Sequence, residues 1–211
     1  MGVMLYCHLS DQMMAPKETL VVDSTKLPVC RFIRAPRVKI CQEQADLQPA
    51  YGYSASDKTT YFGFKFHMAC TLQGVVANYF ITPANESDVA HVVNLIGSLR
   101  GPCRAWGDKG YISNAIQLDL FENHQVKLET DLGSNQRDFS TWSDEKAAGR
   151  LRIETCFSQL IDQFHFRRNY AKTTRGLFTR ISTKIAAMTL MQHANFTAGS
   201  PISQLQNSFA F

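Results

Sequence analysis

Asp23, Asp108 and Glu154 lie far apart in the 211-residue sequence, yet each closes or flanks a segment of the kind that builds a folded core. Asp23 ends the apolar run Thr19-Leu-Val-Val, Asp108 ends the short run Cys103-Arg-Ala-Trp-Gly, and Glu154 sits beside the apolar stripe of a long amphipathic stretch. Two acids at the ends of neighbouring strands, with a third on a helix crossing them, make an oxygen-rich pocket suited to hard divalent cations. Carboxylates so close repel one another and raise each other's pKa unless a cation compensates. The set therefore implies metal, Mg²⁺ with Mn²⁺ as its substitute. Two such ions about 3.5–4 Å apart activate a water or a 3′-hydroxyl and stabilise the leaving oxygen of a phosphodiester. That is nuclease or strand-transfer chemistry. Spacing alone is weak support, because the chain has 18 acids and Asp88 competes for the second position.

The elements that would carry these acids can be read from periodicity. Residues 19–23 have the β-branched character of a buried strand, whereas residues 28–58, with three of the seven prolines and a basic cluster, read as a long irregular connection. Phe62, Phe64, Phe66, Met68, Cys70 and Leu72 alternate with smaller or polar residues, Gln73-Gly74 supplies a turn, and Val75–Thr82 returns as a hairpin. Asn85 with Asp88 predicts the start of a helix to about Leu99, buried through Val89, Val92, Val93 and Ile96. A strand at 103–108, a helix capped by Ser113 and a strand at 126–130 follow. Residues 131–146 read as a polar loop. Leu151, Ile153, Phe157, Leu160, Ile161 and Phe164 then predict a long helix over 147–166, and Leu177, Ile181, Ile185 and Met188 a last one to about His193, with a frayed tail beyond. Strands joined through helices should pair parallel, with a site outside their carboxyl ends.

Composition narrows the classes. With 45% hydrophobic and 19% charged residues the chain is neither collagen-like, low-complexity nor disordered. Its apolar runs fall far short of the roughly 20 residues that span a bilayer, and no export or lipidation signal is visible. Six cysteines without a C-x-x-C pair read as reduced, partly buried thiols, not as a zinc site or a disulfide framework. Charge is unevenly placed: residues 150–184 hold eight Lys or Arg against two acids, while residues 1–149 carry a small negative excess. A solvated helix face and a phosphate-binding surface account for this about equally well.

The segments VVDSTKLPVCR, YFGFKFHMACTLQGVV, TPANESDV, WGDKGYIS, SNQRDF and RLRIETCFSQL, in that order, resemble the core of bacterial insertion-sequence transposases of the DDE type. The resemblance runs from Leu20 to about His193. It implies an α/β, RNase H-like mixed sheet of about five strands, a hairpin edge plus parallel strands, flanked by helices. It also implies metal binding by Asp23, Asp108 and Glu154, Mg²⁺-dependent hydrolysis at transposon ends, and strand transfer to target DNA. A homo-oligomer on DNA in the bacterial cytoplasm, associated with the nucleoid, goes with that activity. Residues 20–194 would form the catalytic domain, 1–19 the remnant of an upstream segment and 195–211 a C-terminal tail. Such transposases carry an end-recognising segment ahead of the first acid, so the chain reads as truncated. Ile161 stands where many carry a basic residue, and Ala147 where they carry a Tyr. A catalytically inactive remnant that only binds DNA or a full-length partner is therefore the alternative, with an RNase H-like nuclease or resolvase third. Under the resemblance Asp88 becomes a helix N-terminal acid.

Candidate DNA contacts follow. Arg150, one turn before Glu154, can orient that carboxylate or touch DNA. Lys65 and His67 share the strand face opposite the aromatics, where a polar edge explains His67 more simply than a phosphate does. Lys109 directly follows the second acid. Arg167, Arg168, Lys172 and Arg175 come after the catalytic helix and could track a backbone. Trp106 and Trp142 read as packing residues.

Overall fold

The computed structural model describes residues 2–15, 18–99, 103–130 and 143–207. Alternation along the sequence becomes alternation across one mixed sheet. β1 (Thr19–Pro28) sends Leu20 and Val22 to one face and Val21 to the other. It pairs antiparallel with β3 (Thr59–Thr71), and β3 with β4 (Val76–Pro83), which is the hairpin that the alternation predicts. On its other side β1 runs parallel to β5 (Cys103–Gly107), and β5 parallel to β6 (Val126–Thr130). The mixed sheet flanked by helices is thus the expected α/β architecture. It has one strand more than expected: β2 (Ala50–Ser54) pairs with the first part of β3, sharing that strand's outer edge end to end with β4. The irregular connection expected over 28–58 is corrected accordingly, since it also contains a 3-10 turn at Phe32–Arg37.

Helices cover both faces. α4 (Asp144–Asp162) and α5 (Thr174–Thr197) bury Ile153, Leu160, Ile181 and Ile185 against Phe64, Phe66 and Trp106. On the opposite face α2 (Val92–Ile96) and α3 (Asn114–His124) close over Leu20, Val22 and Ala105. The helix expected over 85–99 is cut down to α2, preceded by a 3-10 turn at Val89–His91. The Asp88 side chain makes no capping bond there, and it turns elsewhere. Ser113 caps α3 as expected, accepting from the Ile116 amide at 3.4 Å. α1 (Gly2–Met13), which periodicity leaves unassigned, packs on α5 and β4 and buries Tyr6, whose ring meets Tyr79 edge-on. The tail is less frayed than expected, because Leu205 is buried.

Two glycines set how the helices sit. Gly74, in the hairpin turn at φ +94°, holds a conformation that a side chain would strain. Its carbonyl accepts from Cys156 Sγ of α4 at 3.4 Å and from Gln192 Nε2 of α5 at 2.7 Å. Gly149 lies where α4 crosses the sheet: a Cβ there would stand 2.9 Å from the Trp106 ring and 3.0 Å from a Val21 methyl. Only a residue without a side chain allows so close an approach. Trp106 is buried, as expected; Trp142, the segment SNQRDF and most of the expected loop 131–146 lie outside the described residues. The described cysteines 7, 30, 41, 70 and 156 are free thiols. Among the described residues no helix is long and apolar enough to cross a membrane.

Candidate active site

Strand register brings the first two acids together. Val21 of β1 is the parallel partner of Trp106 of β5, and Asp23 and Asp108 each lie two residues further on. With a side-chain period of two, both continue on the face that Val21 and Trp106 occupy, the one crossed by α4. Asp23 stands within β1 and not at its end as expected, for β1 continues along β3 after its pairing with β5 stops. Asp108 accepts from the Gly110 amide at 2.8 Å and caps the 3-10 turn Lys109–Tyr111. Gly149 seats α4 so that Arg150, Glu154 and Phe157 form a stripe above these acids.

The three acids line one cleft of about 510 Å³. A fourth joins them, because Asp88 lines the same cleft. Its Oδ2 and Asp108 Oδ1 lie 3.6 and 3.0 Å from the point where a Gly110 Cβ would be, so the two carboxylates flank one gap. Asp88 Oδ1 lies 3.2 Å from Lys65 Nζ and 3.6 Å from His67 Nδ1. Asp88 does stand at the start of a helical turn, as the reading of it as a helix N-terminal acid expects, but its side chain makes no bond to that turn and faces the half-buried Lys65 ammonium and the His67 ring instead. The signal in the sequence was Lys65, a half-buried ammonium on a sheet strand that needs a counter-charge.

Electrostatics follows from the crowding. Burial, and then Asp108 and Asp88, push the Asp23 carboxyl up to about 7, against the Ser24 amide donating to it at 2.7 Å and the Arg150 charge. Such a carboxyl is about half protonated at neutral pH. The oxygen-only donor set fits a hard divalent ion. Even so, among the described residues no three His, Cys, Asp or Glu side chains stand close enough to hold one ion between them. Glu154 explains part of this: it is about half exposed and paired with Arg150, Nε to Oε1 at 3.1 Å. The single cradle expected from the three acids is therefore a shared cleft here, not a closed ligand shell.

The basic candidates divide. Lys65 lines the cleft and donates to the Glu86 carbonyl at 2.7 Å. His67 is only 1% exposed, bonded to Thr82 Oγ1 at 2.9 Å and stacked on Phe80, so neither a phosphate contact nor an open polar edge describes it. Burial pushes its pKa down to about 4 despite Asp88, keeping the ring neutral. Lys109 is exposed beside Asp108 with no side-chain partner among the described residues. Arg150 and Arg167 line the cleft, whereas Arg168, Lys172 and Arg175 are exposed beyond it. The rest of the basic stretch is partly structural, since Arg152 donates to the Leu72 carbonyl and Lys184 to the His165 carbonyl.

A family described as the transposase DDE domain matches residues 14–170, the span that holds all four carboxylates. The chain belongs to the transposase DDE domain family. DDE transposase domains generally use divalent metal ions, which accords with the carboxylate cleft, and the family is one of nuclease and transferase enzymes. No curated protein was found to match this DDE domain. Among solved structures, the cryo-EM structure of the piggyBac transposase synaptic complex with hairpin DNA matches with a TM-score of 0.55 at 13% identity. That match covers 92% of this chain and 51% of the other, so the DDE domain described here spans about half the length of that transposase. Likeness at this level is one of fold.

Proposed function

We propose that the cleft is the catalytic centre of a bacterial insertion-sequence transposase with an RNase H-like core, which hydrolyses the phosphodiester at element ends and transfers the freed strand to target DNA. The observation that carries the reading is the convergence of Asp23, Asp108 and Glu154 on one cleft within a DDE domain. These three residues would hold two Mg²⁺ ions, or Mn²⁺ in their place. Bound there, the ions would activate a water or 3′-hydroxyl and stabilise the leaving oxygen. The chain's own residues do the rest. Arg150 restrains Glu154 above the strand acids. Asp88 holds the Lys65 ammonium at the cleft wall, where it faces an incoming phosphate. Lys109, Arg168, Lys172 and Arg175 supply exposed positive charge for the flanking DNA. The protein would work as a homo-oligomer on DNA in the cytoplasm, at the nucleoid.

Cleavage of labelled end DNA in Mg²⁺ or Mn²⁺ tests the reading: the parent chain should cut, and an Asp108→Ala chain that cuts equally well would remove the assignment. Binding should weaken steeply with salt, and each of Arg168, Lys172 or Arg175 replaced by Ala should flatten the log–log slope by about 0.9. One observation favours a second reading, a chain that binds DNA without cutting it: Glu154 is engaged by Arg150, and among the described residues no three acids stand close enough to share one ion. That reading predicts DNA binding with no cleavage in either metal.

A further inference from the structure

Two residues that the catalytic reading leaves over meet at one point. Asp88 comes from the segment after β4 and Gly110 from the turn after β5. The three atoms nearest to where a Gly110 Cβ would stand are Asp108 Oδ1 at 3.0 Å, Asp88 Oδ2 at 3.6 Å and Asp108 Cγ at 3.8 Å. Gly110 does not hold a positive φ, so its backbone suits other residues as well. What a side chain would take away here is room, because a methyl group would fill the gap between the two carboxylates. The gap is reached from solvent, since Gly110 is exposed and both acids line the cleft. Space kept clear between carboxylate oxygens suits a small hard cation.

Both acids are anchored from behind. Asp88 Oδ1 faces Lys65 Nζ at 3.2 Å, which is itself fixed on the Glu86 carbonyl at 2.7 Å, and this leaves Oδ2 to the gap. Asp108 Oδ1 accepts from the Gly110 amide at 2.8 Å. Deeper still stands Tyr111, whose hydroxyl is buried with no hydrogen-bond partner among the described residues. Burial, and then the charges of Asp88, Asp23 and Asp108, push that hydroxyl well above its usual pKa, so it stays a neutral O–H donor amid these carboxylates. Enclosed as it is, it touches no ligand; it is a spare donor for a carboxylate that shifts toward an ion, the supporting role common behind metal ligands. Glu154, by contrast, is taken up by Arg150 at 3.1 Å. Two carboxylates are enough for Mg²⁺, which keeps several of its waters.

We propose that Asp88 and Asp108, across the gap that Gly110 leaves, form a resting site for one Mg²⁺, which the chain loads before DNA arrives and without Glu154. The inference rests on reading the cleft as a metal-dependent phosphodiester centre. It adds Asp88 to the acids that hold the ions and leaves Glu154 to join them once DNA is bound.

The test is calorimetric titration of the DNA-free full chain with Mn²⁺, repeated with Mg²⁺. The parent chain should take up an ion. Asp88→Asn should weaken that uptake about tenfold or more, and Gly110→Ala, which keeps every carboxylate and fills the gap, should weaken it by a similar factor; Glu154→Gln should stay within about twofold of the parent. In the nitrogen-15-labelled parent chain, Mg²⁺ should shift the Gly110 amide resonance with the midpoint found by calorimetry, a readout that needs no variant to fold. No uptake by the parent, an unmoved Gly110 amide, parent-like affinity in Asp88→Asn or Gly110→Ala, or a loss in Glu154→Gln as large as in Asp88→Asn would each overturn the site. The catalytic reading fails on a different result, undiminished cutting by an Asp108 variant.

Discussion

The strand-borne acids and the helix-borne acid are held by different means. Asp23 and Asp108 are placed by backbone: each lies two residues beyond the partnered pair Val21 and Trp106, Asp23 inside the β1–β3 ladder and Asp108 one residue past the β5–β6 ladder, where it caps the 3-10 turn. Glu154 is placed by packing. It depends on how closely α4 lies on the sheet at Gly149 and on an exposed ion pair with Arg150. The difference teaches that register fixes half of this site tightly, while the other half can adjust by a side-chain rotation.

Four substitutions or conditions would break or sharpen that contrast. The largest effect belongs to the register-fixed pair: Asp108→Asn should reduce cleavage to the assay background while circular dichroism and melting stay close to those of the parent. Next is pH. Since the folded-state pKa of Asp23 is raised from 3.8 to about 7, its contribution favours the fold below the unfolded value and is lost as pH rises through about 7. The metal-free chain should therefore be less stable at pH 8 than at pH 5 by roughly 2–4 kcal/mol from this group, measured by urea midpoints. Asp23→Asn should flatten that profile, and added Mg²⁺ should stabilise the parent more at pH 8 than at pH 5. A profile unchanged by Asp23→Asn would mean that burial and the neighbouring acids do not hold the Asp23 proton. Third, Gly149→Ala forces a methyl into Trp106 and Val21. It should cost about 1–3 kcal/mol in chemical denaturation and, by lifting Glu154, lower cleavage by about 10²-fold. The smallest effect is that of Arg150→Ala, no more than about 0.5 kcal/mol in stability, because the pair is exposed. If its cleavage rate rose, Arg150 would be restraining Glu154 away from the strand acids.

Much of this frame was legible where periodicity and tertiary packing agree. The runs Leu-Val-Val-Asp and Ala-Trp-Gly-Asp carry both the strand and the face of the acid, and the alternation from Phe62 to Leu72 carries the hairpin. The resemblance, and not the spacing, singled out the acids. What stayed hidden depends on contacts between distant segments. β2 is five residues in a proline-rich, basic stretch, and becomes a strand only because the free edge of β3 is there to pair. α1 has no acid in its first turn and no base in its last, and gains its stability from α5 and β4. Asp88 misled for a related reason: the spacing from Asn85 promised a cap, but Lys65 and His67, about twenty residues earlier, outcompete the helix end for its carboxylate.

The Gly74 carbonyl has a mechanical consequence. Because one oxygen in the hairpin turn receives Cys156 and Gln192 together, α4 and α5 are tethered to the same point at that end of the sheet. A swing of α4 would then hinge there and be widest toward Ser143, carrying Arg150 and Glu154 together as a latched pair, Arg150 through the longer arc.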